Sequence, residues 1–333
     1  MYEDFYGLRE RPFDLVPNPR FLFLAGRQRE AISNLKYGLT TPRGLTLLLG
    51  EAGTGKTTLV QAALADVQGA TVRCVLLSNP TLTRTEFYEF LAQAFELSAG
   101  AGESKARFLF ELRRLLQDRM ASGVLSALLI DEAQSLPNEL LEEVRLLSNI
   151  ETTTTKLLNV VLAGQPELAE RLNEPSLRQL KQRISLRCEL RPMDLHETAS
   201  YIAGRIRIAG GRPERVFTAE AVRTVFEVTG GLPRTVNVIC DNALLGGYAA
   251  AVSPVTAGII REVCEDFDLE TGTTVAPQVV HQEAEPGRDG EQRRGVAEAP
   301  QDTAAEELPE AVNSQPTSPM FGAVNRKRRF SFF

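Results

Sequence analysis

Between Leu45 and Thr58 the chain reads Leu-Thr-Leu-Leu-Leu-Gly-Glu-Ala-Gly-Thr-Gly-Lys-Thr-Thr, a short apolar run that passes directly into Gly-x4-Gly-Lys-Thr. Wrapping backbone N–H groups around a phosphate chain needs bare Cα atoms and positive φ at the turn, which glycine supplies without steric cost. Gly50, Gly53 and Gly55 meet that need, with Glu51, Ala52 and Thr54 filling the loop between them. A helix starting near Lys56 directs its positive N-terminal end at the anion. Lys56 is then expected to reach the β- and γ-phosphates and Thr57 to offer its hydroxyl to Mg²⁺, with Thr58 in the same first turn. The spacing predicts a P-loop.

A second acidic motif decides what kind of P-loop protein this is. At Ala127-Leu-Leu-Ile130-Asp131-Glu132 an apolar run ends in two carboxylates. Such a run reads as a buried parallel strand. Asp131 at its C-terminal end lies where ligands bind in open α/β sheets, and is expected to hold Mg²⁺ through the metal's water shell. Glu132 is suited to orienting and deprotonating an attacking water. Alone, an Asp-Glu pair at a strand end is as well explained by a helix N-cap or a solvated turn. Coupled to the P-loop, it reads as the acidic pair of a nucleoside triphosphatase.

The elements that must position these groups alternate between strand and helix, the signature of βαβ units around a parallel sheet. Strands are expected at Leu45–Leu49, Thr71–Leu77, Ala127–Ile130, Leu157–Ala163 and Ile184–Leu190. Helices are expected after Lys56 and at Thr85–Phe95, Ser104–Met120 and Asn138–Ser148, with Thr83 and Glu86 at capping-box spacing. From Pro192 the pattern is helical alone: Asp194–Ala209, Thr218–Val228, Leu232–Ala251 and Thr256–Asp266. The expected division is 1–190 for the P-loop body with its N-terminal segment, 191–268 for a small all-helical lid, and 269–333 for a tail. The tail is rich in Pro, Gly, Glu, Gln, Thr and Ala, and its sequence cannot bury enough apolar surface to offset ordering entropy, so it is expected to be disordered. Its tip, Arg326-Lys-Arg-Arg-Phe-Ser-Phe-Phe333, pairs a basic run with three aromatics and suits docking to a partner or to an anionic membrane face.

Composition narrows the alternatives. The chain has 333 residues, of which 43% are hydrophobic, enough for a buried core. A net charge of −6 argues against wrapping nucleic acid by bulk electrostatics. Cys74, Cys188, Cys240 and Cys264 are widely spaced and the chain has only two histidines, so a zinc-type site is not expected and reduced thiols are. The N-terminus carries early acidic residues and no apolar signal core. No apolar run approaches the ~20 residues that span a bilayer. A cytoplasmic location is expected.

A five-strand P-loop body followed by a helical lid resembles the AAA+ ATPases. More specifically, Phe5-Tyr-Gly-Leu-Arg-Glu-Arg-Pro-Phe13, Pro17-Asn-Pro-Arg-Phe-Leu-Phe23, Arg29-Glu-Ala31 and Tyr37-Gly38-Leu39 resemble the ExeA/GspA-type secretion ATPases, including those encoded beside exosortase and exopolysaccharide loci. The likeness runs to about residue 268, through Leu162-Ala-Gly-Gln165-Pro-Glu-Leu168, Leu177-Arg-Gln-Leu-Lys-Gln-Arg183-Ile184 and Gly230-Gly-Leu-Pro-Arg234. Gln28 stands where the family usually shows His, at the adenine contact. The resemblance implies ATP as the nucleotide. It also implies site roles: Asn79 restrains the catalytic glutamate until a partner binds, and Gln165 acts as sensor 1 on the γ-phosphate or water. Arg183 acts as an arginine finger on a neighbouring subunit, with Arg178 as the alternative, and Arg234 acts as sensor 2 on the lid. A homo-oligomer is implied, together with a protein partner in a membrane-associated secretion or polysaccharide export system and a location peripheral to the inner membrane. A nucleic-acid-associated regulator resembling transposition ATPases ranks second, because no helix-turn-helix or broad basic stripe is present. A small-molecule P-loop kinase fits least, given Glu132 and the lid.

Overall fold

A computed structural model describes residues 1–268, except 17, 25, 68, 70 and 79, and gives only the backbone of 19 and 27. Both the restraint expected at Asn79 and the tail expected at 269–333 lie outside the described residues. In chain order the elements are α1 (Glu3–Tyr6), α2 (Gly26–Thr40), β1 (Leu45–Gly50), α3 (Lys56–Val67), β2 (Val72–Leu77), α4 (Arg84–Ala94), α5 (Lys105–Ala121), β3 (Leu125–Ile130), α6 (Asn138–Leu147), β4 (Leu158–Gly164), α7 (Pro166–Arg171), α8 (Arg178–Lys181) and β5 (Ile184–Leu190). Five helices follow: α9 (Leu195–Ile208), α10 (Pro213–Val216), α11 (Ala219–Thr229), α12 (Pro233–Ala249) and α13 (Ala257–Asp266).

The five strands form one parallel sheet in the order β2-β3-β4-β1-β5. Side chains of a strand alternate between the two faces, and both faces here are apolar. Leu45, Leu47 and Leu49 of β1, Leu128 and Ile130 of β3, and Leu158, Val160 and Leu162 of β4 pack in one cluster with α4, α5 and α6. Leu48, Ala127, Leu129, Val161 and Ala163 face the other way and pack on α2 and α3. Helices therefore cover the sheet on both sides, which is why its strands read as continuous apolar runs.

Helix α2 was not foreseen from apolar periodicity. It approaches β1 closely because Gly38 has no side chain: a Cβ there would fall 2.4 Å from Oγ1 of buried Thr46. The turn into β1 is held by buried Asn159, whose Oδ1 accepts from the Arg43 and Gly44 N–H groups at 3.2 and 3.4 Å and whose Nδ2 donates to Leu39 O at 3.1 Å. On the opposite face, Glu143 of α6 is buried and accepts from Lys105 Nζ at 2.7 and 2.8 Å, from the Tyr88 hydroxyl and from Arg84, so that one carboxylate joins α4, α5 and α6. Burial pushes its pKa up, but the hydrogen bonds from Lys105 and Tyr88 and the charges of Lys105 and Arg84 outweigh this and hold it below the usual carboxylate range.

Helix α4 starts with the expected capping box: the Thr83 N–H donates to Glu86 Oε2 at 2.7 Å, and the Glu86 N–H donates to Thr83 Oγ1 at 3.3 Å. Tyr2, Tyr6, Leu8, Phe13 and Phe21 lie in one apolar cluster with Met193 and side chains of α9 to α13. These five side chains thus pack with the helices after Pro192, while Leu22 and Leu24 pack against the cluster on the sheet. Side chains some 200 positions upstream complete the core of helices α9 to α13.

Candidate nucleotide site

The C-terminal ends of β1, β4 and β3 lie side by side, with Leu49 beside Gly164 and Leu162 beside Ile130, and each runs directly into a functional group. Strand β1 delivers the P-loop, β4 delivers Gln165, and β3 delivers Asp131 and Glu132. In the loop, Gly53 and Gly55 have φ of +82° and +92°, as the cradle requires. Gly50 does not adopt positive φ. Its bare Cα is needed for space instead, since a Cβ would fall 2.7 Å from Thr54 Oγ1 and 3.1 Å from Leu190 O.

Lys56 is buried at the first turn of α3 and donates from Nζ to Gly50 O at 2.7 Å and Glu51 O at 3.0 Å. Burial pulls its pKa below the ordinary lysine range, against the charges of Glu132, Asp131 and Glu167. Thr57 Oγ1 donates to Asp131 Oδ2 at 2.7 Å, so the hydroxyl and the carboxylate assigned to one metal already lie in contact. The Glu132 N–H donates to Asp131 Oδ1 at 3.0 Å, and Glu132 adopts the left-handed backbone at φ 52°, uncommon for a residue with a side chain.

A cavity of about 540 Å³ joins these groups. Residues Ala52 to Thr58, Glu132, Gln165 and Arg234 line it, together with the apolar Leu15, Val16, Phe21, Phe23 and Met193 and with Tyr201. Gln28 also lines this cavity, and its Oε1 is buried without a hydrogen-bond partner. A polar loop and apolar side chains in one cavity suit the phosphates and the base of a nucleotide.

Arg234 is mounted by local geometry. Gly230 caps α11 in the left-handed region, and Gly231, at φ +76°, passes so close to Met193 that a Cβ would fall 1.9 Å from its carbonyl oxygen. Pro233 then starts α12, and the Arg234 N–H donates to Gly53 O at 3.1 Å, tying the lid to the P-loop. Arg183 and Arg178 are exposed and do not line this cavity. Two further residues had not been expected from sequence. Arg205 is buried, donates to Pro12 O, to Asp14 O at 3.4 Å and to the Tyr201 hydroxyl at 2.6 Å, and lies over the Phe21 ring at 4.9 Å. It holds the N-terminal segment against the cavity, and its partners lie too far off in sequence to be read locally. Gln134, two residues past Glu132, donates from Nε2 to the Glu132 carboxylate and accepts the Gln165 N–H at 3.1 Å on Oε1.

A parallel sheet with a P-loop, an acidic strand end and a helical lid defines the AAA class of P-loop ATPases. Residues 40–172 match the AAA domain family. The chain is 40% identical over 261 residues to General secretion pathway protein A of Aeromonas hydrophila, covering 78% of this chain and 47% of that protein, so it spans about half the length of this curated relative. Among solved structures, Cdc6p from Pyrobaculum aerophilum superposes with a TM-score of 0.60 at 17% identity, over 77% of this chain and 70% of that one. Drosophila ORC bound to DNA gives 0.59 at 22%, over 79% and 65%. At such identities these two bear on the fold alone. The domain match and the curated relative together support an ExeA/GspA-type AAA ATPase.

Proposed function

We propose that this chain binds ATP and hydrolyses it to ADP and phosphate with Mg²⁺, as a homo-oligomer that supports assembly or regulation of a membrane-linked secretion or exopolysaccharide system. The observation that carries this reading is the contact between Thr57 Oγ1 and Asp131 Oδ2 at the mouth of the P-loop, with Glu132 next in the chain and lining the same cavity. Lys56 leaves its backbone acceptors for the β- and γ-phosphates. Thr57 and Asp131 are the groups that would hold Mg²⁺, which when bound neutralises charge on the β- and γ-phosphate oxygens. Glu132 accepts a proton from the water that attacks the γ-phosphorus, and the bond to the β–γ bridging oxygen breaks. Gln165 orients the water or the γ-phosphate, Arg234 stabilises charge on the transferring group, and Asn79 restrains Glu132. Arg183, exposed and outside its own cavity, completes a neighbour's site. The three-part division 1–190, 191–268 and 269–333 belongs to the same proposal.

The secretion context rests on the relative's name, General secretion pathway protein A. A cytoplasmic site of action, peripheral at the inner membrane, accords with the finding that no described helix is long and apolar enough to cross a bilayer. Phosphate release by the purified chain, with Mg²⁺ or with a chelator, tests the activity. The wild type is expected to turn over only with the metal, and Lys56→Ala to lose ATP binding. Equal release by wild type and Lys56→Ala would remove the P-loop from the reaction.

A further inference from the structure

Gln134 bonds three groups: the Gln165 N–H, the Glu132 carboxylate and the Arg171 guanidinium. The Gln165 N–H can only donate, so the Gln134 atom it reaches, at 3.1 Å, must be the acceptor Oε1. The remaining amide NH₂ then faces the Glu132 carboxylate, which when ionised can only accept, and it donates to Oε2 there. The Gln134 backbone carbonyl is itself held, accepting from Arg171 of α7 at 2.6 Å. The same guanidinium donates to Asn138 Oδ1, and Asn138 Nδ2 donates to Glu174 Oε2 at 3.1 Å. Glu174 immediately precedes the segment that carries Arg178 and Arg183. Space has been left for this side chain: a Cβ on Gly164 would fall 3.1 Å from Gln134 Oε1.

We propose that Gln134 is a positioning residue for hydrolysis. It fixes one oxygen of the Glu132 carboxylate, leaves the other free to take the water's proton, and registers that carboxylate against Gln165 and the arginine-bearing segment. Glu132 is on a left-handed backbone, so its side chain leaves the chain in an unusual direction, and a second anchor is needed to keep it in line with the water. Displacement of a catalytic group by about 1 Å can cost on the order of 100-fold in rate. The inference rests on the ATPase reading above, and gives Glu132 a positioning anchor distinct from the restraint assigned to Asn79.

Turnover and the affinity for a fluorescent ATP analogue, measured for Gln134→Leu and Gln134→Glu, alone and combined with Glu132→Gln, test the proposal. Gln134→Leu loses both bonds. Gln134→Glu keeps an acceptor for the Gln165 N–H but loses the donor and sets a second carboxylate beside Glu132. Both are expected to lower kcat by roughly 10- to 100-fold with nucleotide affinity within about twofold, and to add almost nothing in the Glu132→Gln background, because Gln134 acts through Glu132. Amide hydrogen exchange at Gln165 in the nucleotide-free protein is expected to rise in Gln134→Leu and to stay slow in Gln134→Glu. Unchanged kcat in both variants, an equal loss of nucleotide affinity, or a full further loss on top of Glu132→Gln would each overturn the proposal. A wild type that fails to turn over, or turnover indifferent to Glu132→Gln, would instead overturn the ATPase reading itself.

Discussion

Gly231 shows how one residue without a side chain can decide where a charged one sits. Its φ of +76° and its approach to Met193 leave no room for a methyl group, and the Met193 N–H donates to its carbonyl at 3.0 Å. Gly231→Ala is therefore expected to destabilise the fold by about 2–4 kcal/mol, combining backbone strain with displacement of Met193. Because Arg234 is three residues on and its N–H is bonded to Gly53, ATP affinity is expected to fall as well, measurable as a lower urea midpoint and a weaker Kd. Full stability in Gly231→Ala would mean that the turn relaxes freely. At this scale much of the candidate site was legible in the sequence. Gly50 to Thr58, Asp131 and Glu132 are dictated by local spacing, and local spacing survives folding. Gln134 escaped notice, although it lies beside Glu132, because nothing in the spacing says where an amide two residues on will point.

Among the elements, the strands and, α2 apart, the longer helices were legible because period 2 and period 3.6 are local properties of the chain. Neither the closure of the lid by Tyr2, Tyr6, Leu8, Phe13 and Phe21 nor the burial of Arg205 beneath them was, since both depend on contacts nearly the length of the described chain apart. Glu143 is of the same kind. It reads as an ordinary helix carboxylate in sequence, yet it joins α4, α5 and α6. Its pKa is depressed in the folded state, so its stabilising contribution is fully present above the unfolded value of about 4.3 and is lost as pH falls through the folded one. Urea midpoints are expected to drop as pH is lowered below about 4.3, and Glu143→Gln to flatten that part of the profile while costing about 1–3 kcal/mol at neutral pH. A Glu143→Gln profile parallel to wild type at every pH would show that other carboxylates carry the acid sensitivity.

At the scale of the whole molecule, the exposed Arg178 and Arg183 lie outside the cavity that their own P-loop lines, which suits an arginine acting on a second copy. Specific activity is then expected to rise with protein concentration. Mixing inactive Lys56→Ala with inactive Arg183→Ala should restore part of the turnover, because some interfaces will pair an intact P-loop with an intact arginine. Absence of rescue in mixtures shown to co-assemble would favour Arg178 or a site complete within one chain.

ATP retention and phosphate release measured together on Glu132→Gln bear most directly on the assignment of this chain as an ATPase with Glu132 as its base. Replacing the carboxylate by an amide removes the proton acceptor and leaves Lys56, Thr57 and Asp131 in place. The variant is expected to bind ATP as tightly as wild type and to release phosphate at least about 100-fold more slowly. Undiminished release at full ATP occupancy would contradict the account, since proton transfer would then proceed without Glu132.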